Sequence, residues 1–266
     1  MEGAGTIYFN RSNFVSVIAN GKSQNTRQKE IINIIAMELL TPVTVMKANI
    51  QLLKKCCIGT GIPFVEESFL MCEDSVDNIL RFINCVSFLS DTDQGKVKLK
   101  KLRFNLNSFI DQIREELQKS NFEVSRIQVD IAVSGSQIIT DKYLLNRIIL
   151  NLLANALKFS RSTVELFVST ADNQLTVVVR DYGIGIPEEE ITEVFNPFIR
   201  ASNVKMINGT GLGLSIISKA VECLEGSIYV NSIVGQGTEM KVIIPVESLL
   251  KLNTQVIKSN HLIPQL

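Results

Sequence analysis

The hydrophobic rhythm of the chain changes near residue 95, and that change constrains the fold more than any other feature. From about residue 26 to 53, Ile31, Ile34, Ile35, Leu39, Val43, Met46, Ile50 and Leu53 recur at three- and four-residue steps. This spacing gathers them on one face of a helix. Pro42 lies inside the run and is expected to kink it, because proline removes a backbone donor and crowds the carbonyl four residues earlier. Gly59, Gly61 and Pro63 interrupt the chain. A second helical run follows from about residue 65 to 89, with Phe69, Leu70, Cys72, Val76, Ile79, Leu80, Ile83, Val86, Phe88 and Leu89 as its apolar set. Two such helices read as an antiparallel hairpin. A lone hairpin cannot hide so wide an apolar surface. Pairing with a second copy into a four-helix bundle is expected, with docking onto the rest of the chain as the alternative.

Asp91, Asp93, Gln94 and Gly95 read as a linker, and beyond it the rhythm mixes. Residues 106–117, 143–159 and 210–223 are helical in period. Residues 127–133, 164–169, 175–180, 227–230 and 239–244 read as strands, with Asp172 and Asn173 in a turn. The expected class is α+β, with helices stacked on one face of a mixed sheet. The chain therefore divides into a lead-in or linker (1–25), a helical hairpin (26–92), an α+β domain (100–247) and a tail (248–266).

Composition removes several function classes. Lys and Arg total 27 and Asp and Glu total 27, so there is no electrostatic case for general nucleic-acid binding. No apolar stretch reaches about 18 residues, the length of a membrane span. Glu2, Asn10, Arg11 and Asn13 make the first residues unlike a secretory leader. The chain is expected to be cytoplasmic, alone or as part of a longer membrane-anchored sensor. Cys56, Cys57, Cys72, Cys85 and Cys223 show no CxxC spacing and read as reduced thiols. His261 is the only histidine, which argues against a histidine metal cluster or a buried histidine base.

Four short pieces carry chemistry. Asn151 and Asn155 lie four residues apart, on one helix face. Their amide oxygens suit Mg²⁺ already carried by phosphates, although capping or a plain polar face explains many such pairs. Lys158 follows on the same side as a point charge for phosphate. Asp181 precedes Gly183 and Gly185 directly after a strand. It reads either as an acceptor for an exocyclic amine, with glycines admitting a flat ring, or as an ordinary Asp/Gly turn. Gly209, Thr210, Gly211, Leu212 and Gly213 run into a helix, where freed backbone N–H groups favour phosphate. Their spacing fits neither a GxGxxG turn nor a Walker loop. Gly235, Gly237 and Thr238 precede the last strand, where a threonine hydroxyl can reach a base edge.

In this order and spacing, the pieces resemble the catalytic, ATP-binding domain of sensor histidine kinases. The wider class includes a heat-shock chaperone family, DNA gyrase and a mismatch-repair protein. Residues 151–158 are similar to the N box, 181–185, 209–213 and 235–238 to three glycine boxes, and Phe195, Asn196, Pro197 and Phe198 to the F box. The resemblance spans residues 26–246 and is most specific over 147–245. It implies a Bergerat-type α/β sandwich, a mixed sheet backed by three helices, and ATP with Mg²⁺ as the bound group. It further implies Asp181 at adenine N6, Asn155 with Asn151 at Mg²⁺, and Lys158 at phosphate. Gly183, Gly185, Gly209, Thr210, Gly211, Leu212, Gly213 and Thr238 would surround the nucleotide, beneath a mobile lid at 200–208 that carries the cations Arg200 and Lys205.

The helical half carries a broken version of the family's second signature. Such kinases read Ser-His-Glu-Leu-Arg-Thr-Pro on the first hairpin helix; this chain reads Ala36, Met37, Glu38, Leu39, Leu40, Thr41, Pro42. Met37 stands at the phosphoacceptor position. An imidazole can accept a phosphoryl group and a thioether cannot do so stably. Met37 also reads simply as a well-packing core methionine. The resemblance makes Glu38 and Thr41 the catalytic candidates that persist, Thr41 as the residue that positions water for dephosphorylating a response regulator. The expected function is two-component signalling by an ATP-binding kinase relative without autophosphorylation at the usual place, acting as scaffold, partner or phosphatase. The alternatives are an active transferase modifying a histidine on a partner kinase, and an interaction module indifferent to nucleotide.

Overall fold

The computed structural model describes residues 7–9, helical positions at 40, 43, 44, 46–48, 50, 51 and 54, and residues 63–247 apart from 134–136, 205 and 208. Met37, Glu38, Thr41, Pro42, Cys56, Cys57, Lys205, His261 and the tail at 248–266 lie outside the described residues, as does the lead-in except for 7–9. The chain forms two compact units, Ser16–Val97 and Met1–Val15 with Lys98–Leu266.

In the Ser16–Val97 unit, helix α1 spans Pro63–Asp93. It runs four residues past the expected end at 89, so Asp91 and Asp93, read as linker, form its last turn. The backbone closes after it through Lys96 N–H to the Asp91 carbonyl at 2.9 Å. Val76, Ile83, Val86, Phe88 and Leu89 are buried, as is Val43. Cys72 and Ile79, expected in the same apolar set, are exposed. Lys47 pairs with Asp77, and Lys54 Nζ lies 3.4 Å from Glu73 Oε2.

The larger unit is built on a mixed sheet. Its strands are β1 (Ile7–Phe9), β3 (Ile127–Ala132), β5 (Val164–Ala171), β6 (Gln174–Asp181), β7 (Ser227–Ile233) and β8 (Gly237–Pro245), in the order β1-β7-β8-β6-β5-β3. Among the described strands only β3 and β5 pair in parallel, and a parallel neighbour requires a crossover. That crossover carries β4 (Gln137–Asp141) and helix α3 (Lys142–Phe159). A two-stranded ribbon pairs β4 with β2 (Lys101–Asn105). Helices α2 (Leu106–Lys119) and α4 (Gly213–Cys223) complete the unit.

The three helices predicted to back the sheet are α2, α3 and α4. Strands β1, β2 and β4 were not predicted, and β1 falls in a segment read as lead-in. Helix α4 starts at Gly213 rather than at 210. Asp172 and Asn173 both adopt positive φ, 50° and 61°, the geometry of a tight hairpin turn that matches the strand twist.

Alternation fixes which sheet face meets the helices. Val164, Leu166 and Val168 of β5, Leu175, Val177 and Val179 of β6, and Ile228 and Val230 of β7 are all buried. Residues at even spacing share one side of a strand. On the opposite face Arg180 Nε donates to Glu239 Oε2 at 2.9 Å and its guanidinium lies 3.5 Å from Glu165.

Helix α3 positions the site, and both its ends are anchored. At its start, Asp141 Oδ1 accepts from Tyr143 N and Leu144 N, both at 3.0 Å, and Oδ2 accepts from Lys100 N at 2.7 Å. An aspartate there satisfies donors the helix cannot. At its end, Arg126 donates to the carbonyls of Leu157 and Ser160 at 2.8 Å and of Ser162 at 3.1 Å. Losing three charge-assisted bonds is expected to destabilise the fold by about 2–3 kcal/mol. Arg126→Ala should therefore lower the melting temperature by roughly 4–12 °C in a scanning fluorimetry experiment.

Candidate functional site

A cavity of about 370 Å³ opens between α3, the end of β6 and the segment before α4. Of the residues singled out from sequence, it brings together Asn151, Asn155, Lys158, Asp181, Gly185, Arg200, Gly209, Thr210, Gly211, Gly213 and Thr238. Gly183 and Leu212 lie outside its wall. Leu212 is buried, and a Cβ at Gly183 would stand 2.3 Å from the Phe159 carbonyl oxygen, so that glycine serves the approach of loop to helix.

One end of the cavity is an acceptor in apolar surroundings. Asp181 closes β6, among Val179, Ile184, Ile186 and Met240. Its Oδ1 accepts from Gly183 N–H at 2.9 Å. Burial pushes its carboxyl above the usual 3.8, against the opposing pull of the Gly183 and Thr238 backbone bonds. Two glycines let the backbone close around this end. Gly185 has φ +67° and a Cβ there would lie 2.2 Å from the Ile233 carbonyl oxygen; Gly237 has φ +113° and a Cβ would lie 2.0 Å from the Asp181 carbonyl oxygen. Neither conformation nor space admits a side chain.

The other end is cationic. Burial, and then the Arg200 charge, hold the Lys158 ammonium below its usual 10.5. Gly209 leaves room for that group, since a Cβ there would meet Lys158 Nζ at 2.4 Å. Two cations set close together with partial burial suit an anionic ligand. Arg200 also donates to the backbone carbonyls of Val204, at 2.5 Å, and Ile207. It thus ties itself to the Val204 and Ile207 backbone while lining the cavity. Asn203 Nδ2 ties the same segment to the Gly185 carbonyl at 2.9 Å, and Glu190 accepts from Ser202 N at 2.8 Å.

Between the ends, the Asn151 and Asn155 amides converge on the first residue of α4. A Cβ at Gly213 would stand 3.4 Å from Asn151 Oδ1 and from Asn155 Oδ1. Asn151 Nδ2 donates to the Arg147 carbonyl at 2.7 Å, leaving its oxygen turned to that point. Among the described residues no cluster of three or more His, Cys, Asp or Glu could hold a metal ion. Amide oxygens are neutral donors of the kind that suits a hard cation already carried by phosphates.

Residues 140–248 match the family described as "Histidine kinase-, DNA gyrase B-, and HSP90-like ATPase". This region is a histidine-kinase-type ATPase domain. The chain is 30% identical over 244 residues to the circadian input-output histidine kinase CikA of Synechococcus elongatus, covering 89% of this chain and 32% of that protein. It is 32% identical over 225 residues to the autoinducer 2 sensor kinase/phosphatase LuxQ of Vibrio cholerae, covering 80% of this chain and 26% of that one. The chain thus spans about a third or less of the length of these relatives. In fold it is similar to full-length ShkA in complex with AMPPNP, with a TM-score of 0.66 and 24% identity over 82% of this chain and 46% of that one.

Two features of the ATPase domain site escaped the sequence reading. Arg200 was read as a ligand cation only, without its bonds to the Val204 and Ile207 carbonyls. Ser232 was not singled out, although it continues the inward alternation of Ile228 and Val230 and is buried with them. A polar residue at a core-facing strand position was the available signal.

Proposed function

We propose that the chain is a histidine-kinase relative in two-component signalling that binds ATP with Mg²⁺ and does not phosphorylate itself at the usual position. The observation that carries ATP binding is the polarity of a single cavity: the Asp181 acceptor among apolar walls at one end, Lys158 and Arg200 at the other. A flat ring bearing an amine suits the first end, a triphosphate the second. Asp181 would accept from the exocyclic amine, and Lys158 and Arg200 would neutralise phosphate oxygens. The Asn155 and Asn151 oxygens would hold Mg²⁺, and the segment braced by Arg200 would exclude water. When bound, ATP supplies a γ-phosphoryl group for transfer.

The absence of self-modification rests on Met37, which offers no nitrogen to receive that group. Glu38 and Thr41 retain the family's types at their positions, and Thr41 suits water activation toward a response regulator. The ion pairs of Lys47 with Asp77 and Lys54 with Glu73 step in opposite directions along the sequence, as in an antiparallel hairpin. Exposed Leu40, Met46, Ile79 and Phe82 favour a homodimer through that hairpin.

Labelled ATP supplied to the chain alone should leave no acid-labile phosphate. Mg²⁺-AMPPNP should raise its melting temperature, since a ligand that binds only the folded state stabilises it. A labelled chain, or a melting temperature indifferent to nucleotide, would contradict the corresponding half of the proposal.

The same reading predicts a proton-linked signature. Below its lowered pKa the charged Lys158 costs stability, and this cost is relieved as pH rises through the window between that value and 10.5. A phosphate beside it reverses the shift. ATP binding within that alkaline window should therefore take up protons, seen calorimetrically as heats that vary with buffer ionisation enthalpy. Lys158→Met should abolish the variation.

A further inference from the structure

Strand β7 would end the sheet if β1 did not pair with it. Its sequence, Ser227 to Ile233, carries no charged residue and no proline, the devices with which proteins blunt an exposed strand edge. The strand at the far edge, β3, carries Asp130, and the β2 edge of the ribbon carries Lys101 and Arg103. A strand edge as bare as that of β7 pairs readily with an extended segment. The segment that meets it is β1, antiparallel, with Ile7 opposite Val230, Tyr8 opposite Tyr229 and Phe9 opposite Ile228. Thr6, Ile7, Tyr8 and Phe9 are all strand-favouring types, in a stretch otherwise rich in Gly, Asn and Ser.

We propose that the β7 edge is a docking site for an extended, uncharged β-strand, and that residues 7–9 of the same chain occupy it as a detachable strap. Three residues make few ladder bonds, and ordering their backbone costs conformational entropy, so the strap is held near balance. Residues 16–97 form a separate unit between the strap and the rest of its own unit. The docked strap therefore gives the ATPase domain a second chain connection to that unit, beside the one at 97–98. Its release leaves a single connection and bares the β7 backbone.

Successive N–H groups of a strand point to opposite edges, so replacing both Ile7 and Tyr8 by proline removes a donor aimed at β7 whatever the phase. Hydrogen exchange read by mass spectrometry should be faster at 228–230 in this double variant than in the parent, with α3 unchanged. A fluorescent peptide of residues 5–10, Gly-Thr-Ile-Tyr-Phe-Asn, should bind the double variant at least about tenfold more tightly than the parent, because the resident strap leaves only a fraction of parent molecules open. In a separate chain carrying Tyr8→Cys and Tyr229→Cys, oxidation should link the two positions within one molecule, since facing strand residues lie within disulfide reach. Peptide mapping separates that link from any made by the native cysteines. Unchanged exchange at 228–230, equal peptide affinity for the two chains, peptide binding to neither, or an 8–229 link that joins two chains or fails to form would overturn the proposal.

Discussion

Asp181→Asn is expected to weaken Mg²⁺-ATP binding about 50-fold while leaving the ligand-free protein at least as stable as its parent. A bond from an amine to a buried carboxylate is charge-assisted, and its loss is worth roughly 2–3 kcal/mol. The asparagine can also turn an amide donor toward the adenine amine. The stability half follows from linkage. Burial holds the Asp181 pKa above 3.8, so the ionised carboxylate costs folding free energy once pH exceeds the unfolded value. That cost grows as pH rises to the folded pKa and is constant above it. At neutral pH the neutral asparagine avoids it. A variant that binds ATP as tightly as the parent would remove Asp181 from the site. A variant that loses both binding and stability would show a structural role instead.

Restoring an imidazole is expected to produce the largest qualitative change. Met37→His combined with Leu40→Arg should yield acid-labile phosphate on incubation with γ-labelled ATP, where the parent yields none. The nucleophile is then the imidazole nitrogen, and Glu38 stands next to it in sequence to orient it or take its proton. The phosphorus–oxygen bond to ADP breaks as the phosphorus–nitrogen bond forms. Phosphate in the double variant alone would locate the defect at the acceptor. No phosphate in either chain would mean that the ATPase domain has also lost transfer.

The polarity of the cavity was legible in sequence because each of its elements is local. Asp181 ends an alternating strand beside two glycines, and Asn151, Asn155 and Lys158 share a helical face whose spacing fixes their common direction. The core strands were legible for the same reason, since β5 and β6 alternate cleanly around the Asp172–Asn173 turn. The short ribbon of β2 and β4 was not, because Lys101, Leu102, Arg103, Phe104 and Asn105 bury little on either side and their pairing is with residues far along the chain. Nor was β1, a three-residue edge strand whose order comes from pairing with β7. The Arg126 clamp on α3 and the hydrogen bond between the Ser232 and Thr238 hydroxyls are likewise long-range or cross-strand. A sequence shows a polar residue at such a position, but not the carbonyls or hydroxyl it meets after folding.

Titration calorimetry of the intact chain with Mg²⁺-ATP tests the central claim most directly. A saturable heat with one nucleotide per chain, lost on replacement of Asp181, is the predicted result. A parent chain that gives no heat beyond dilution, with its melting temperature likewise unmoved by nucleotide, would contradict it.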